Sequence, residues 1–115
     1  MARVISVHEY VLAPGVESQA FEDAVQTAEE QELFDLPGLV EYRFVEKLRG
    51  SRPARYAAVW IYEDRDAWQS TWGSVEEPMP REQYPRKWRI WEDELLAPLL
   101  DREPQFVEYA AYEGF

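Results

Sequence analysis

The chain has 115 residues, of which 46% are hydrophobic and 15% aromatic, and it contains no cysteine. These values predict a single globular domain over residues 1–115 and exclude wholesale disorder, disulfide bonds and thiolate catalysis, as is typical of a cytoplasmic protein. The 23 acidic against 12 basic residues give a net charge of -11, which disfavours nucleic acid and anionic membranes as partners.

Hydrophobic periodicity predicts four strands and two helical regions. The predicted strands are period-two runs rich in β-branched and aromatic residues, at Arg3–Val11, Leu39–Leu48, Arg55–Glu63 and Gln105–Tyr112. A first helix is predicted from Glu17 to about Leu33, and a second from Glu63 to Gly73 that resumes near Arg86. Between the two pieces of the second helix, Ser74–Pro85 contains three prolines and cannot be helical. The chain is expected to begin with a strand rather than a signal peptide, and it has no apolar run of membrane-spanning length.

The longest apolar run, Arg55–Glu63, is predicted to be a central strand that leads directly into a helix. The acidic residues that follow, at 63–66, are typical of a first helical turn and are interpreted as such rather than as a metal cluster. Alternation divides the strand into two sets. We expect Ala57, Val59 and Ile61 to pack under the helices, and Tyr56, Ala58 and Trp60 to face a partner or pocket.

The order β-α-β-β-α-β predicts an α+β, ferredoxin-like domain: a four-stranded antiparallel sheet with helices on one face and a broken second helix. The other face of the sheet would remain uncovered. We expect it to carry an aromatic set, namely Val4, Ser6, His8, Tyr10, Tyr56, Trp60 and Tyr112. Such a surface is too apolar to remain exposed to water, and packing against a second copy of the chain is the simplest way to bury it.

Three stretches resemble the dimeric α/β-barrel superfamily, particularly its antibiotic-biosynthesis-monooxygenase-like and stress-responsive members. They are Leu12–Gly15 at the end of the first strand, Leu36–Val40 at the start of the second, and the strand-to-helix junction Val59–Trp68. The resemblance spans nearly the whole chain and implies a homodimer, a dimeric α/β barrel with a small-molecule cleft. The proline-rich segment Pro78–Pro85 departs from the family, whose second helix is shorter.

Members of this superfamily include cofactor-free oxygenases of aromatic polyketides, cyclases, haem-degrading enzymes and proteins with no assigned activity, so fold alone does not select a function. The haem-degrading branch uses a histidine on its second helix, where this chain has none. The resemblance therefore implies no haem, and no other cofactor is expected.

His8 is the only histidine, so it cannot form a multi-histidine metal site, and no metal is expected. On an aromatic face beside Ser6 and Tyr10, it is a candidate general base or hydrogen-bond donor. The alternative is a histidine packed at the dimer contact. A cavity of roughly 300 Å³ or more beside His8 would favour the first interpretation.

Glu41 and Arg43 share a face of the second strand, and we expect them on the His8 face, where Arg43 would grip a carboxylate or phenolate. The alternative is a salt bridge at the rim. The five tryptophans predict a wedge of core side chains or, alternatively, an aromatic pocket with hydroxyls from Tyr10, Tyr56, Tyr62 and Tyr84. Glu76, Glu77 and the acidic run 92–94 are expected to be solvated.

The sequence thus favours a cytoplasmic homodimer that binds a small apolar or aromatic molecule. If it is an enzyme, cofactor-independent monooxygenation, cyclisation or isomerisation is expected, with His8 and Arg43 catalytic. The ligand would also contact Ser6, Tyr10, Glu41, Tyr56, Trp60 and Tyr112. The alternative is a non-catalytic dimeric module with a structural or interaction role.

Overall fold

A computed structural model describes residues 2–115; the expected start of the chain at Met1 lies outside this part. The strands are β1 (Val4–Tyr10), β2 (Leu39–Glu46), β3 (Tyr56–Tyr62) and β4 (Glu108–Glu113). The helices are α1 (Ser18–Glu30), α2 (Arg65–Trp72) and α3 (Arg86–Ile90). Short 3₁₀ turns lie at Arg81–Gln83 and Pro104–Phe106. We call Ser74–Pro85, which joins α2 to α3, the proline loop.

The four strands form one sheet in the order β2-β3-β1-β4, and every neighbouring pair is antiparallel. This order follows from a β2–β3 hairpin and two helical crossovers, and it confirms the predicted ferredoxin-like α+β fold. The second helical region is broken by the proline loop, as predicted.

Two local signals place the helices where the sequence predicted them. On α1, Phe21 and Ala28 recur at helical spacing and are fully buried against the sheet, with Ala24 and Val25 partly buried. At the start of α2, the carboxylate of Asp64 accepts a hydrogen bond of 2.8 Å from the Ala67 backbone N–H. This N-cap explains why the acidic run after β3 begins a helix.

The helices cover the face of the sheet opposite to the one predicted. Val4, Ser6 and Tyr10 are buried under the helices, and on β3 the buried set is Tyr56, Ala58, Trp60 and Tyr62. The opposite face carries Ala57, Val59 and Ile61. Alternation separates the two sets correctly but does not say which set meets the helices when both are apolar. The aromatic set is covered because the gap between sheet and helices accommodates large rings, such as Trp60 against Trp88.

The helical segment after the proline loop changes its winding. Regular α3 gives way to a π-helical stretch, Trp91–Leu96, and then to a 3₁₀ turn, Ala97–Leu99, which contains Pro98. Trp88, Trp91 and Leu96 are buried in the core, and Leu95 and Leu99 are partly buried against it. Glu92, expected to be solvated, is instead 4% exposed. None of the described helices has the length and apolarity to cross a membrane.

Candidate functional site

A cavity of about 470 Å³ lies on the helix-covered side of the sheet. Its floor is formed by β1 and β4, through Ser6, His8, Tyr109 and Ala111. Its walls come from α2, the proline loop and α3, and its rim includes the turn at Pro104–Phe106. The size matches a small-molecule site. The cavity also meets the criterion set from the sequence, because His8 and several polar groups converge on it.

His8 lies between the cavity and the aromatic core. Its ring stacks on Tyr109 at 5.4 Å between centroids and meets Trp88 at 5.6 Å. Burial lowers the pKa of His8 from 6.5 to about 4, because the charged imidazolium loses its water. The imidazole is therefore neutral at pH 7. Its buried Nδ1 has no hydrogen-bond partner among the described residues.

An ion pair lines the cavity. Arg81, from the 3₁₀ turn of the proline loop, donates through Nη1 to Oε1 of Glu92 and through Nη2 to Asp93. Glu92 is buried, whereas the Asp93 side chain is 54% exposed. Burial raises the pKa of Glu92, and the hydrogen bond from Arg81 partly opposes that rise. The pair ties the proline loop to the π-helical stretch.

Aromatic rings form the remaining walls. Trp72 meets Trp88 at 5.3 Å and Tyr84 at 5.1 Å between centroids, both nearly edge to face. The Trp72 indole N–H donates to the Tyr62 hydroxyl at 2.9 Å, which fixes the ring of Trp72. Trp68 also lines the space. Trp60 and Trp91 belong to the core, Trp68 and Trp72 line the cavity, and Trp88 does both.

The proline loop is held close to α2 by Gly73. Its φ is +89°, and a Cβ at this position would lie 2.3 Å from the backbone nitrogen of Met79. That Met79 nitrogen donates to the Trp72 carbonyl at 2.9 Å, so the loop folds back on the helix end. Only glycine permits this conformation and this approach together. The loop therefore starts at a fixed point and brings Arg81 and Tyr84 to the cavity.

The structure brings some of the predicted site residues together. Ser6 and His8 both line the cavity. Tyr10 and Trp60 lie behind the His8 ring, at 6.3 and 6.2 Å between centroids, and support it from the core. Tyr56 is further away: its ring stacks on Phe21, and its hydroxyl donates to Glu22 at 2.7 Å.

Three other predicted residues lie on the opposite side of the sheet, which corrects the expectation that they share a face with His8. Glu41 pairs in register with Ile61, Arg43 with Val59 and Tyr112 with Ile5, all on the face without helices. Glu41 and Arg43 form an exposed ion pair at 3.6 Å within β2, rather than the salt bridge between strands or subunits that was the alternative interpretation. The structure therefore gives Arg43 no position from which to hold an anion in the cavity.

The sequence did not identify Arg81 or Glu92 as cavity residues. Glu92 could have been found, because it follows Trp88 by four residues and so shares the buried face of that helix. Arg81 lies in a loop without periodicity, and nothing in its local sequence indicates a partner. Tyr109 was assigned no role, although it pairs with His8 across β1 and β4.

The cavity suits an uncharged ligand. Among the described residues that line it, Arg81 and Glu92 carry charge, and they neutralise each other. An anion would meet Glu92, and a cation would meet Arg81. Planar aromatic molecules fit the indole and phenol walls. Within residues 2–115, no three His, Asp or Glu side chains come together as a metal site.

Comparisons with known proteins identify the fold. No family model and no curated protein sequence matches the chain. Among solved structures, a dimeric ferredoxin-like protein of unknown function from Thermobifida fusca is 14% identical, with 98% of this chain and 90% of that chain covered and a TM-score of 0.62. SnoaB, a cofactor-independent oxygenase from Streptomyces nogalater, is 13% identical, with 97% and 92% covered and a TM-score of 0.61.

A third similar structure is a DABB family protein with a ferredoxin-like fold from Mesorhizobium loti. It is 8% identical, with 100% of this chain and 97% of that chain covered and a TM-score of 0.63. At such identities the likeness shows fold and not activity. The resemblance to the dimeric α/β-barrel superfamily is therefore confirmed for the fold: the chain has the ferredoxin-like architecture of these proteins.

Proposed function

We propose that the protein binds a small, uncharged, planar aromatic or apolar molecule in the 470 Å³ cavity beside His8. The single observation that carries this proposal is the convergence of a neutral imidazole and an internally neutralised ion pair on an aromatic-walled space. A histidine that served only for packing would be enclosed by other side chains. His8 instead lines a volume that a two- or three-ring molecule can occupy.

The chemistry that this site supports best is removal of a weakly acidic proton from the ligand. Proton removal is the first step shared by cofactor-free oxidation, cyclisation and isomerisation of aromatic compounds. His8, being neutral, can accept a hydrogen bond or donate one to such a ligand. A cofactor-independent oxygenase is among the structures with this fold, which supports the proposal without selecting among the three reactions.

We also propose that the protein is a homodimer joined through the sheet face without helices. That face has an apolar centre, Val7, Val59, Ile5 and Ile61, and charged residues toward its margins, Glu9, Glu41 and Arg43. Ile5, Val45 and Tyr112 on the same face are 36%, 45% and 61% exposed. An apolar centre with a charged margin is typical of a protein–protein interface. Proteins described as dimeric share the fold.

The alternative from the sequence, a non-catalytic dimeric module, uses the same open face and needs no cavity. The two proposals therefore concern opposite sides of the sheet and can be tested independently.

Ligand binding is tested by quenching of tryptophan fluorescence, since Trp72 and Trp88 line the cavity. The probes are 2-naphthol, 1,4-naphthoquinone and haem. We expect the two bicyclic probes to bind, and Ala111→Phe, which fills the floor next to Ser6, to weaken binding by about tenfold or more. Arg43→Ala on the opposite face is the control and should bind as wild type. Unchanged binding in Ala111→Phe would place the ligand elsewhere and overturn the proposal.

A further inference from the structure

Glu92 combines two features that a merely structural residue would not need. Its carboxylate is buried at 4% exposure, where an ionised group is costly unless it is paired. It also lies in the π-helical stretch Trp91–Leu96, and π-turns are rare and are frequently found at functional sites. Both features occur where the helix borders the cavity.

Arg81 holds this carboxylate by one oxygen. Its Nη1 donates to Oε1 of Glu92 and its Nη2 to Asp93, and the Trp88 side chain also hydrogen-bonds the Glu92 carboxylate. A guanidinium that donates a hydrogen bond to a carboxylate favours the ionised form of that carboxylate. The burial of Glu92 acts in the opposite direction and raises its pKa, which makes the carboxylate a stronger base than one in water. Arg81 is thus a positioning residue for a buried carboxylate that lines the cavity.

His8 lines the same cavity from the floor, and the ring of Trp88, one helical turn before Glu92, lies 5.6 Å from its own ring. A neutral imidazole carries one N–H donor and one acceptor nitrogen. The cavity therefore offers a carboxylate on one wall and a neutral hydrogen-bond donor on another. This pairing suits a reaction in which a proton leaves a carbon while negative charge develops on an adjacent carbonyl oxygen.

We propose that Glu92 is the base of this cavity, acting on a neutral aromatic ketone, and that His8 is the donor to the oxygen on which charge develops. This inference rests on the proposed binding function and assigns its substrate class. Glu92 takes the proton from the carbon next to the carbonyl group, so the C–H bond breaks and an O–H bond forms on the carboxyl group. The electron pair moves to the carbonyl oxygen, which the His8 N–H stabilises. Return of a proton to carbon regenerates the carboxylate, and no oxidant is consumed.

Several ionisable groups act on the charge of Glu92 or share the cavity with it. They are Arg81 and Tyr84 of the proline loop, Asp93 on the same helix, Tyr10 and His8 on β1, and Tyr109 on β4. Tyr10 is buried and its pKa is raised by burial and by Glu92, so it stays neutral. Arg81 is the one cation in this set.

The test is hydrogen exchange at carbon, with 2-tetralone as the probe. This bicyclic aromatic ketone has acidic hydrogens at C1, and mass spectrometry follows their replacement by deuterium in D₂O. We expect wild type to accelerate exchange above buffer, and Glu92→Gln to lose about a hundredfold of that acceleration while still quenching tryptophan fluorescence with the probe. Glu94→Gln, the same change at an exposed residue of the same helical stretch, is the control and should exchange as wild type.

The outcomes separate the two proposals. If Glu92→Gln binds the probe and exchanges it at the wild-type rate, or if wild type binds it without acceleration, this inference is wrong and the binding function stands. If neither 2-tetralone nor 2-naphthol binds to wild type, the binding function fails and the inference fails with it. Should Glu92→Gln not fold, Glu92→Asp replaces it. That variant withdraws the carboxylate by one methylene, so it should bind the probe and exchange it slowly, and a wild-type rate would overturn the proposal.

Discussion

At the residue scale, His8 shows how burial sets the state of a titratable group. Its neighbours are rings: Tyr10 and Trp60 behind it, and Trp88 and Tyr109 beside it. None of these neighbours is an acidic residue that could hold a proton on the imidazole. Desolvation therefore acts alone and lowers the pKa of His8 to about 4.

We predict that this pKa makes the protein less stable below about pH 6. Between pH 4 and 6.5 the unfolded chain binds a proton at this position that the folded chain does not, so the free energy of unfolding rises with pH. The shift in the pKa of His8 adds at most about 3 kcal/mol to the free energy of unfolding, and this contribution is fully present above pH 6.5. Urea unfolding of wild type and His8→Gln at pH 4.5 and 7 measures it. Since carboxylates titrate in both proteins, the difference between the two curves reports His8, and parallel curves would contradict the prediction.

A residue's role can be predicted from the sequence when it depends on a local signal, and cannot when it depends on contacts remote in sequence. His8 was identified because its type is chemically distinctive and its strand is regular. Glu92 was missed because a run of three acidic residues is usually solvated, and its burial depends on Arg81, eleven positions earlier in an irregular loop. Arg43 was assigned to the wrong side because alternation gives a relative face and not an absolute one.

At the element scale, the strands and helices were predictable because each carries its own local signal. The period-two runs gave all four strands, and the Asp64 N-cap marked the start of α2. The path of the proline loop was not predictable. It depends on contacts remote in sequence: the return of Met79 to the Trp72 carbonyl and the Arg81–Glu92 pair. Part of the cavity wall is made of this loop, so the sequence alone does not give the shape of the site.

We predict that the Arg81–Glu92 pair fixes the proline loop. Arg81→Met leaves the buried carboxylate without its cation and should lower the free energy of unfolding by about 2 to 4 kcal/mol at pH 7. The double variant Arg81→Met/Glu92→Gln removes both charges and should recover most of this loss. Chemical denaturation of the four proteins of the cycle gives the coupling directly. Arg102→Met, at an exposed pair with Asp101, is the control and should change stability by less than about 1 kcal/mol.

At the scale of the whole molecule, the sheet separates two surfaces. The helix-covered side holds the aromatic core and the cavity, and the other side presents aliphatic residues in its centre. Both sides are apolar, which is why β3 reads as a nearly continuous hydrophobic run in the sequence. The prediction that one side meets a second copy does not depend on which side the aromatics occupy. The reversed faces therefore change the site that was expected and leave the expected mode of assembly intact.

We predict that the protein is a homodimer and that one charged residue introduced on the open face dissociates it. Val59 lies between Val7 and Arg43 in the sheet, near the centre of the aliphatic surface. Burying an arginine there against a second copy would leave two charges unpaired across the two-fold axis, so Val59→Arg should sediment as a monomer at micromolar concentration. Leu48→Arg is the matched control: it places the same charge at a fully exposed apolar residue outside the sheet, and it should sediment as wild type, at twice the monomer mass. A wild-type protein that is monomeric at that concentration, or a dimeric Val59→Arg, would show that this face is not the interface. Binding of 2-naphthol by the monomeric variant would show in addition that the cavity is complete within one subunit.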